Sequence, residues 1–182
     1  KRLSLLNYRN ATRGHYTFDA PVVSITGPNG TGKTNILDAI HYLCLSKSYF
    51  SQQDQQLVRF GEDVFNLDAD IVQNEREIRL FCAWQGGKKL LKNNGVTYER
   101  LADHIGRFPV VMVAPTDLDL IYDSSEIRRR FADMLLSQTD HDYLLALMRY
   151  NKLLQQKQAM LRQLKTDGRF DSLLFDILSE QL

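Results

Sequence analysis

Apolar residues recur every second position in three places and at helical spacing in four, and these two periods divide the chain. Leu3-Ser4-Leu5-Leu6 and Tyr16-Thr17-Phe18 read as the strands of a hairpin, joined through the polar stretch 7–14. Val22-Val23-Ser24-Ile25 is short, apolar and β-branched, the composition of a buried strand. Residues 34–43 carry apolar side chains at 36, 37, 40 and 43, which predicts a helix. The polar segment 46–53 has no period and reads as a loop. Phe65, Leu67, Ala69 and Ile71 alternate with polar residues, as do Ile78, Leu80, Cys82 and Trp84. Gly86-Gly87 and Asn94-Gly95 mark turns around a return strand at 88–92. Residues 57–98 are therefore expected to form an antiparallel meander with one exposed face. A second continuous apolar run, 108–115, is expected to be a central strand.

Beyond residue 124 the period becomes helical throughout. Ser125 is placed as the cap of a helix running to about Ser137, with Ile127, Phe131, Met134 and Leu135 on one face. A longer helix is expected over 143–165, ended by Asp167-Gly168, and a third from about Asp171. The expected organisation is an α/β lobe over residues 1–123 followed by a helical lobe over 124–182.

The chemistry is concentrated between the first apolar run and the first helix. Gly27-Pro28-Asn29-Gly30-Thr31-Gly32-Lys33-Thr34 fits G-x-x-x-x-G-K-[ST] at every fixed position. The strand-to-helix context is the one in which this motif is credible. Glycines permit backbone angles that other residues avoid and allow close approach. Successive backbone N–H groups then form an anion nest at a helix N-terminus. Lys33 is expected to reach the β- and γ-phosphates, and the Thr34 hydroxyl to ligate Mg²⁺. A glycine-rich turn that merely contains a lysine is the bland alternative, and the complete match argues against it. The motif reports binding of a nucleoside triphosphate and leaves the use of that binding open.

Composition narrows the rest. The chain has 182 residues, room for one medium domain or one domain and a piece of another. Hydrophobic residues are 43% and charged residues 25%, so disorder is not expected. A net charge of +1 neither demands nor excludes a nucleic-acid partner. Cys44 and Cys82 read as buried hydrophobes of a reducing compartment, and the four histidines lack zinc spacing. No apolar run is long enough to span a membrane, and the N-terminus lacks a signal-peptide profile. A cytoplasmic protein is expected. The absence of an initial Met suggests a trimmed end.

Several segments resemble one family. The inner Asn29-Gly30 of the loop is similar to ABC- and SMC-like ATPases. "NYRN" at 7–10, "TNILDAIHYLCLSKSYF" after the loop and "APTDLDLI" at 114–121 resemble the RecF family of bacterial DNA-repair ATPases. So do "RRRFAD" at 128–133, "LSQTDHDYL" at 136–144 and "YNKLLQQKQAML" at 150–161. The resemblance implies an ABC-type P-loop ATPase head with a helical lobe inserted in it. It implies ATP and Mg²⁺ as cofactors and an ATP-dependent homodimer of the full-length protein. Its implied partners are DNA, gapped or at single-strand/duplex junctions, together with RecR and RecO in recombinational repair, replication and the SOS response. The family's L-S-x-G-Q-like signature and Walker B strand are not found in this sequence, so an N-terminal piece of a longer protein is expected. Weak ATP hydrolysis is expected of the full-length dimer and none appreciable of this chain, in which no catalytic residue is assigned. The alternatives are a small-substrate P-loop phosphotransferase, disfavoured by long helices without a glycine-rich lid, and a transporter-type ABC ATPase subunit.

Other residues carry two readings each. Arg9 either approaches the nucleotide or is a solvated hairpin charge. Asp117, with Asp119, follows the run 110–114 either as a Walker B Mg²⁺ ligand or, as the family comparison favours, in a Q-loop-like segment joining the head to the helical lobe. Arg128-Arg129-Arg130 at a helix start is either a phosphate or DNA contact or is paired internally, Glu126 with Arg130 and Arg129 with Asp133. Lys88, Lys89 and Lys92 either touch a DNA backbone or keep a strand soluble. The basic residues of the long helix, Lys152, Lys157, Arg162 and Lys165, divide the same way. Its leucine stripe reads as lobe packing, with a short coiled-coil arm as the alternative. Leu173, Leu174 and Leu178 are expected to leave apolar surface exposed.

Overall fold

The alternation at 65–71 and 78–84 builds the centre of the molecule. In the computed structural model, which describes residues 1–122, 124–167 and 172–180, β3 (Val64–Gln73) and β4 (Arg76–Gln85) pair antiparallel. Phe65 lies opposite Trp84, Leu67 opposite Cys82 and Ala69 opposite Leu80. Because side chains alternate between faces, this register gathers the apolar set on one side. The full sheet has six antiparallel strands in the order β2-β1-β3-β4-β5-β6, with β1 (Arg2–Tyr8), β2 (Ala11–Thr17), β5 (Lys88–Asn93) and β6 (Val96–Thr97). The expected meander is present. Helix α1 (Lys33–Leu45) covers its apolar face, burying Ile36, Ala39, Tyr42 and Leu43 against Leu3, Leu5, Phe65, Leu67 and Leu80. On the open face, Arg2 pairs with Asp70 at 2.8 Å and Arg79 with Asp68 at 2.7 Å across neighbouring strands.

His104 fastens the segment after β6 to α1. It is fully buried, and its Nε2 donates to the Leu43 carbonyl at 2.7 Å. Burial holds its pKa below the ordinary value, so the ring stays neutral with its proton on Nε2.

Four sequence expectations in this unit are corrected. The hairpin between β1 and β2 turns at Arg9-Asn10, since Tyr8 already pairs with Ala11. Most of the polar stretch 7–14 is thus strand. Leu37, placed on the apolar stripe of α1, is exposed, whereas Asp38 and His41 are buried. The runs 22–25 and 108–115 are not strands. Val22 is 85% exposed and Val113 79% exposed. Both runs have strand composition, but a strand also needs a neighbour for its backbone N–H and C=O groups. Among the described residues neither run has a strand partner. Phe108 and Met112 are nevertheless buried, and Phe108 and Val110 wall an apolar cleft of about 340 Å³ with Leu3, Ile40 and Leu43.

By its internal contacts the chain divides into Lys1–Leu118 and Asp119–Leu182. The second unit holds α2 (Asp119–Tyr122), α3 (Ser125–Thr139), α4 (His141–Asp167) and α5 (Ser172–Glu180). Ser124, not Ser125, is the N-cap of α3. Asp140 ends α3, and its Oδ1 accepts the Tyr143 N–H at 3.0 Å, capping α4. Leu144, Leu153 and Leu178 are buried among these helices, which corrects the expectation for Leu178, whereas Leu173 is 71% exposed and Leu174 is exposed as well. Arg130 pairs with Glu126 as expected. The Arg129–Asp133 pair does not form; Asp133 instead accepts the Tyr143 hydroxyl at 2.5 Å. The turn at Gly168 and the start at Asp171 lie outside the described residues. No helix among the described residues is long and apolar enough to cross a membrane.

Candidate nucleotide-binding site

The loop 27–32 owes its shape to its glycines. Gly30 has φ 80° and Gly32 φ 93°, in the left-handed region that disfavours side chains. Gly32 is the N-cap of α1 and offers no side-chain acceptor. No acidic residue stands in the first turn. The helix N-terminus therefore keeps its positive end and its leading N–H groups unmatched by any carboxylate, as an anion site requires. Lys33 arches back over the loop, its Nζ donating to the carbonyls of Gly27 at 2.7 Å and Pro28 at 2.6 Å. The Thr31 hydroxyl donates to the Pro28 carbonyl at 2.9 Å. Thr34 is exposed at the mouth of the loop. Residues 27–32 thus form a loop running into α1, with the Lys33 ammonium folded back onto its first half.

The β1–β2 turn grips this loop and its helix through three consecutive residues. Tyr8 donates its hydroxyl to Asp38 Oδ2 at 2.8 Å, and Arg9 donates Nε to the same oxygen at 2.9 Å. Asn10 donates Nδ2 to the Gly30 carbonyl at 3.0 Å and accepts from Asn35 Nδ2 at 2.6 Å. Arg9 is 23% exposed and also donates to Ser48 Oγ at 3.1 Å. It is therefore not the solvated hairpin charge that one sequence reading allowed.

Asp38 is the hub of this region and is 0% exposed. Besides Tyr8 and Arg9 it accepts the Ser48 hydroxyl, at 2.9 Å on Oδ1, and the Tyr49 N–H at 2.8 Å. Burying a carboxylate is costly unless donors and a counter-charge match it, and Asp38 has both. Burial, and after it the neighbouring Asp38, raise the pKa of Tyr8 above the ordinary phenol value. From the same loop, Tyr49 donates its hydroxyl to Asp117 Oδ1, while Asp117 Oδ2 accepts the Ala114 N–H at 2.6 Å. Burial, with the Asp117 bond second, pushes the Tyr49 pKa up to about 12. Asp117 thus braces a loop with both oxygens engaged.

Of the lysines near the meander, Lys89 is fully occupied. Its Nζ pairs with Asp54 at 2.9 Å, donates to the Ser46 carbonyl at 2.6 Å and lies 4.7 Å from the Tyr42 ring centroid. It holds β5 to the end of α1 and is unavailable to a DNA backbone; Lys88 remains exposed. Sequence reasoning missed Asn10, Asp38, Ser48 and Tyr49. Only Asp38 left a signal there, as a charge one position from Leu37 and two from Ile40 on α1.

A sequence model of the family described as an AAA domain matches residues 2–181. The chain is 41% identical over 182 residues to the DNA replication and repair protein RecF of Flavobacterium johnsoniae, covering 100% of this chain and 51% of that protein. It is 40% identical over 182 residues to RecF of Cytophaga hutchinsonii, covering 100% of this chain and 48% of that one. A solved structure of the recombination mediator RecF with ATP, from the RecFOR pathway, superposes with a TM-score of 0.89 at 28% identity, over 100% of this chain and 49% of that chain. The chain spans about half the length of the curated relatives it matches. Its fold is that of an ABC-type ATPase head, a mixed α/β arrangement of antiparallel sheet and helices. The family model spanning residues 2–181 makes this chain a member of the AAA-domain family, and along its whole length the chain is a homologue of the RecF proteins.

Proposed function

We propose that residues 27–34 bind the triphosphate of ATP, and that the protein uses this binding to control its hold on DNA in recombinational repair. The observation that carries the reading is the loop itself: positive-φ glycines, a helix N-terminus without acidic residues and an ammonium directed onto the loop. Gly27, Pro28, Asn29, Gly30, Thr31 and Gly32 supply the backbone cradle. Lys33 exchanges its carbonyl partners for phosphate oxygens. The exposed Thr34 hydroxyl, next to Lys33 at the start of α1, offers a hard oxygen donor of the kind Mg²⁺ accepts. The Thr34 hydroxyl would hold Mg²⁺, which would offset negative charge on the bound phosphates. Asp117 is left out of that role because both its oxygens are engaged. Arg9 supports the site through Asp38.

The partners follow from membership of the family: gapped or junction DNA, RecR and RecO, and a second copy joined through ATP in the cytoplasm. Residues 1–123 act as the ATPase lobe and 124–182 as a helical lobe. Phosphoryl transfer also needs an oriented water. Asp38 is buried and Asp117 braces the Tyr49 and Ala114 segments, so neither is placed to orient it, and this chain is expected to bind nucleotide without appreciable turnover.

The test is thermal unfolding of the intact protein with Mg-ATP. At a hundred times its Kd the ligand stabilises by about 2.7 kcal/mol. Lys33→Ala is expected to lose this shift and, with it, the ATP-dependent binding of gapped duplex, whose affinity should fall as salt rises. An equal shift in both proteins would remove the assignment.

A further inference from the structure

We infer that Asn10 is the positioning residue of the phosphate loop, holding Gly30 and the first turn of α1 in the geometry that receives an anion. The inference rests on the nucleotide reading above for its consequence, but its mechanical part stands on the loop alone.

The loop needs an external brace. Its glycines gain shape by giving up side chains; the Gly32 carbonyl is held by the Asn35 and Ile36 N–H groups of α1, but no bond from within the loop fixes Gly30 against the range of angles open to it. A loop that wanders must be ordered when the ligand binds, and that ordering weakens affinity. Three side-chain bonds, one from Thr31 and two from Lys33, all end on the first half of the loop, at Gly27 and Pro28. Asn10 supplies the missing constraint on the second half. Its Nδ2 binds the Gly30 carbonyl at 3.0 Å and turns that oxygen toward the hairpin. Its Oδ1 receives Asn35 Nδ2 at 2.6 Å, so one side chain ties the loop to the helix. A Cβ at Gly32 would stand 2.7 Å from Asn10 Oδ1, which shows that Asn10 packs directly against the N-cap glycine.

Asn10 is itself held rigidly. Its two predecessors are anchored on the buried Asp38 through Tyr8 and Arg9, and the Arg9 N–H donates to the Leu57 carbonyl at 2.6 Å. The hairpin turn is therefore a fixed arm, and Asn10 is its contact with the loop. An amide suits the position because it must donate to a carbonyl and accept from a second amide at once. Aspartate would keep only the acceptor, set an oxygen against the Gly30 carbonyl and add a negative charge beside a phosphate site.

The experiment compares the intact protein with Asn10→Ala and Asn10→Asp. Asn10 is exposed, so the ligand-free melting temperature of Asn10→Ala is expected to stay within about 2 °C of the parent. Hydrogen exchange is read first, without nucleotide. Amides 30–35 are expected to exchange about tenfold faster in Asn10→Ala while 39–43 keep their protection. Mg-ATP is then expected to bind about tenfold more weakly to Asn10→Ala, and more weakly still to Asn10→Asp. Unchanged exchange at 30–35 overturns the inference, and so does equal ATP affinity in parent and Asn10→Ala. A parent that fails to bind ATP at all removes the nucleotide reading instead, and the exchange rates still decide whether Asn10 positions the loop.

Discussion

Asp38→Ala is expected to lower the unfolding free energy by about 3 kcal/mol, toward the low end of what breaking a buried ion pair costs. The carboxylate is inaccessible and takes donors from Tyr8, Arg9, Ser48 and the Tyr49 backbone. Its removal leaves the Tyr8 hydroxyl and the Arg9 guanidinium without their acceptor in a dry setting. Arg9 retains some solvent, which keeps the expected loss near the lower limit. Since whole domains are stable by about 5–15 kcal/mol, the variant should fold but unfold at markedly lower urea. Asp38→Asn keeps the volume and part of the bonding and should lose less. The measurement is a urea titration followed by the single tryptophan, Trp84. A midpoint within experimental error of the parent for Asp38→Ala would show that the network carries no net stability.

Phe65→Ala is expected to cost as much or more, about 3–5 kcal/mol, by leaving a cavity in the centre of the sheet's apolar face. Phe65 is 0% exposed and meets Tyr8 and Tyr42 edge-on, with centroids at 5.2 and 5.5 Å. It stacks on Trp84 with the rings only 6° from parallel. Such aromatic contacts add to simple burial. Phe65→Leu, which conserves most of the volume, should cost about 1.5 kcal/mol or less. The two losses are not independent: Phe65 backs the Tyr8 ring whose hydroxyl holds Asp38. The double variant Phe65→Ala/Tyr8→Phe should therefore lose less than the sum of the singles when unfolded in urea. Strict additivity would show that the core and the Asp38 network are uncoupled.

The loop and the meander were legible because their signals are local. Gly27, Gly30 and Gly32 are demanded by backbone angles within six residues of one another. The strand alternation at 65–71 and 78–84 reports a face, and Gly86-Gly87 and Asn94-Gly95 report where the chain returns. The Glu126–Arg130 pair was legible for the same reason, being one helical turn long.

The sequence alone determined the phosphate loop, the antiparallel meander, the helical second half and the family, since each rests on spacing within a short window. Tertiary structure decided the rest. The runs 22–25 and 108–115 have the composition of central strands, yet strand formation depends on a partner's backbone groups, which composition does not encode. Asp38 became a hub through Tyr8 and Arg9, which lie 30 and 29 residues away along the chain. Lys89, one of three similar lysines, was taken out of solution by Asp54 and the Ser46 carbonyl on distant segments. Leu178 is buried and Leu173 is not, though both lie on one apolar helix, because a neighbouring surface covers only one side of it. In each case the residue's own chemistry permitted several outcomes, and the groups brought within about 3 Å by the fold selected one.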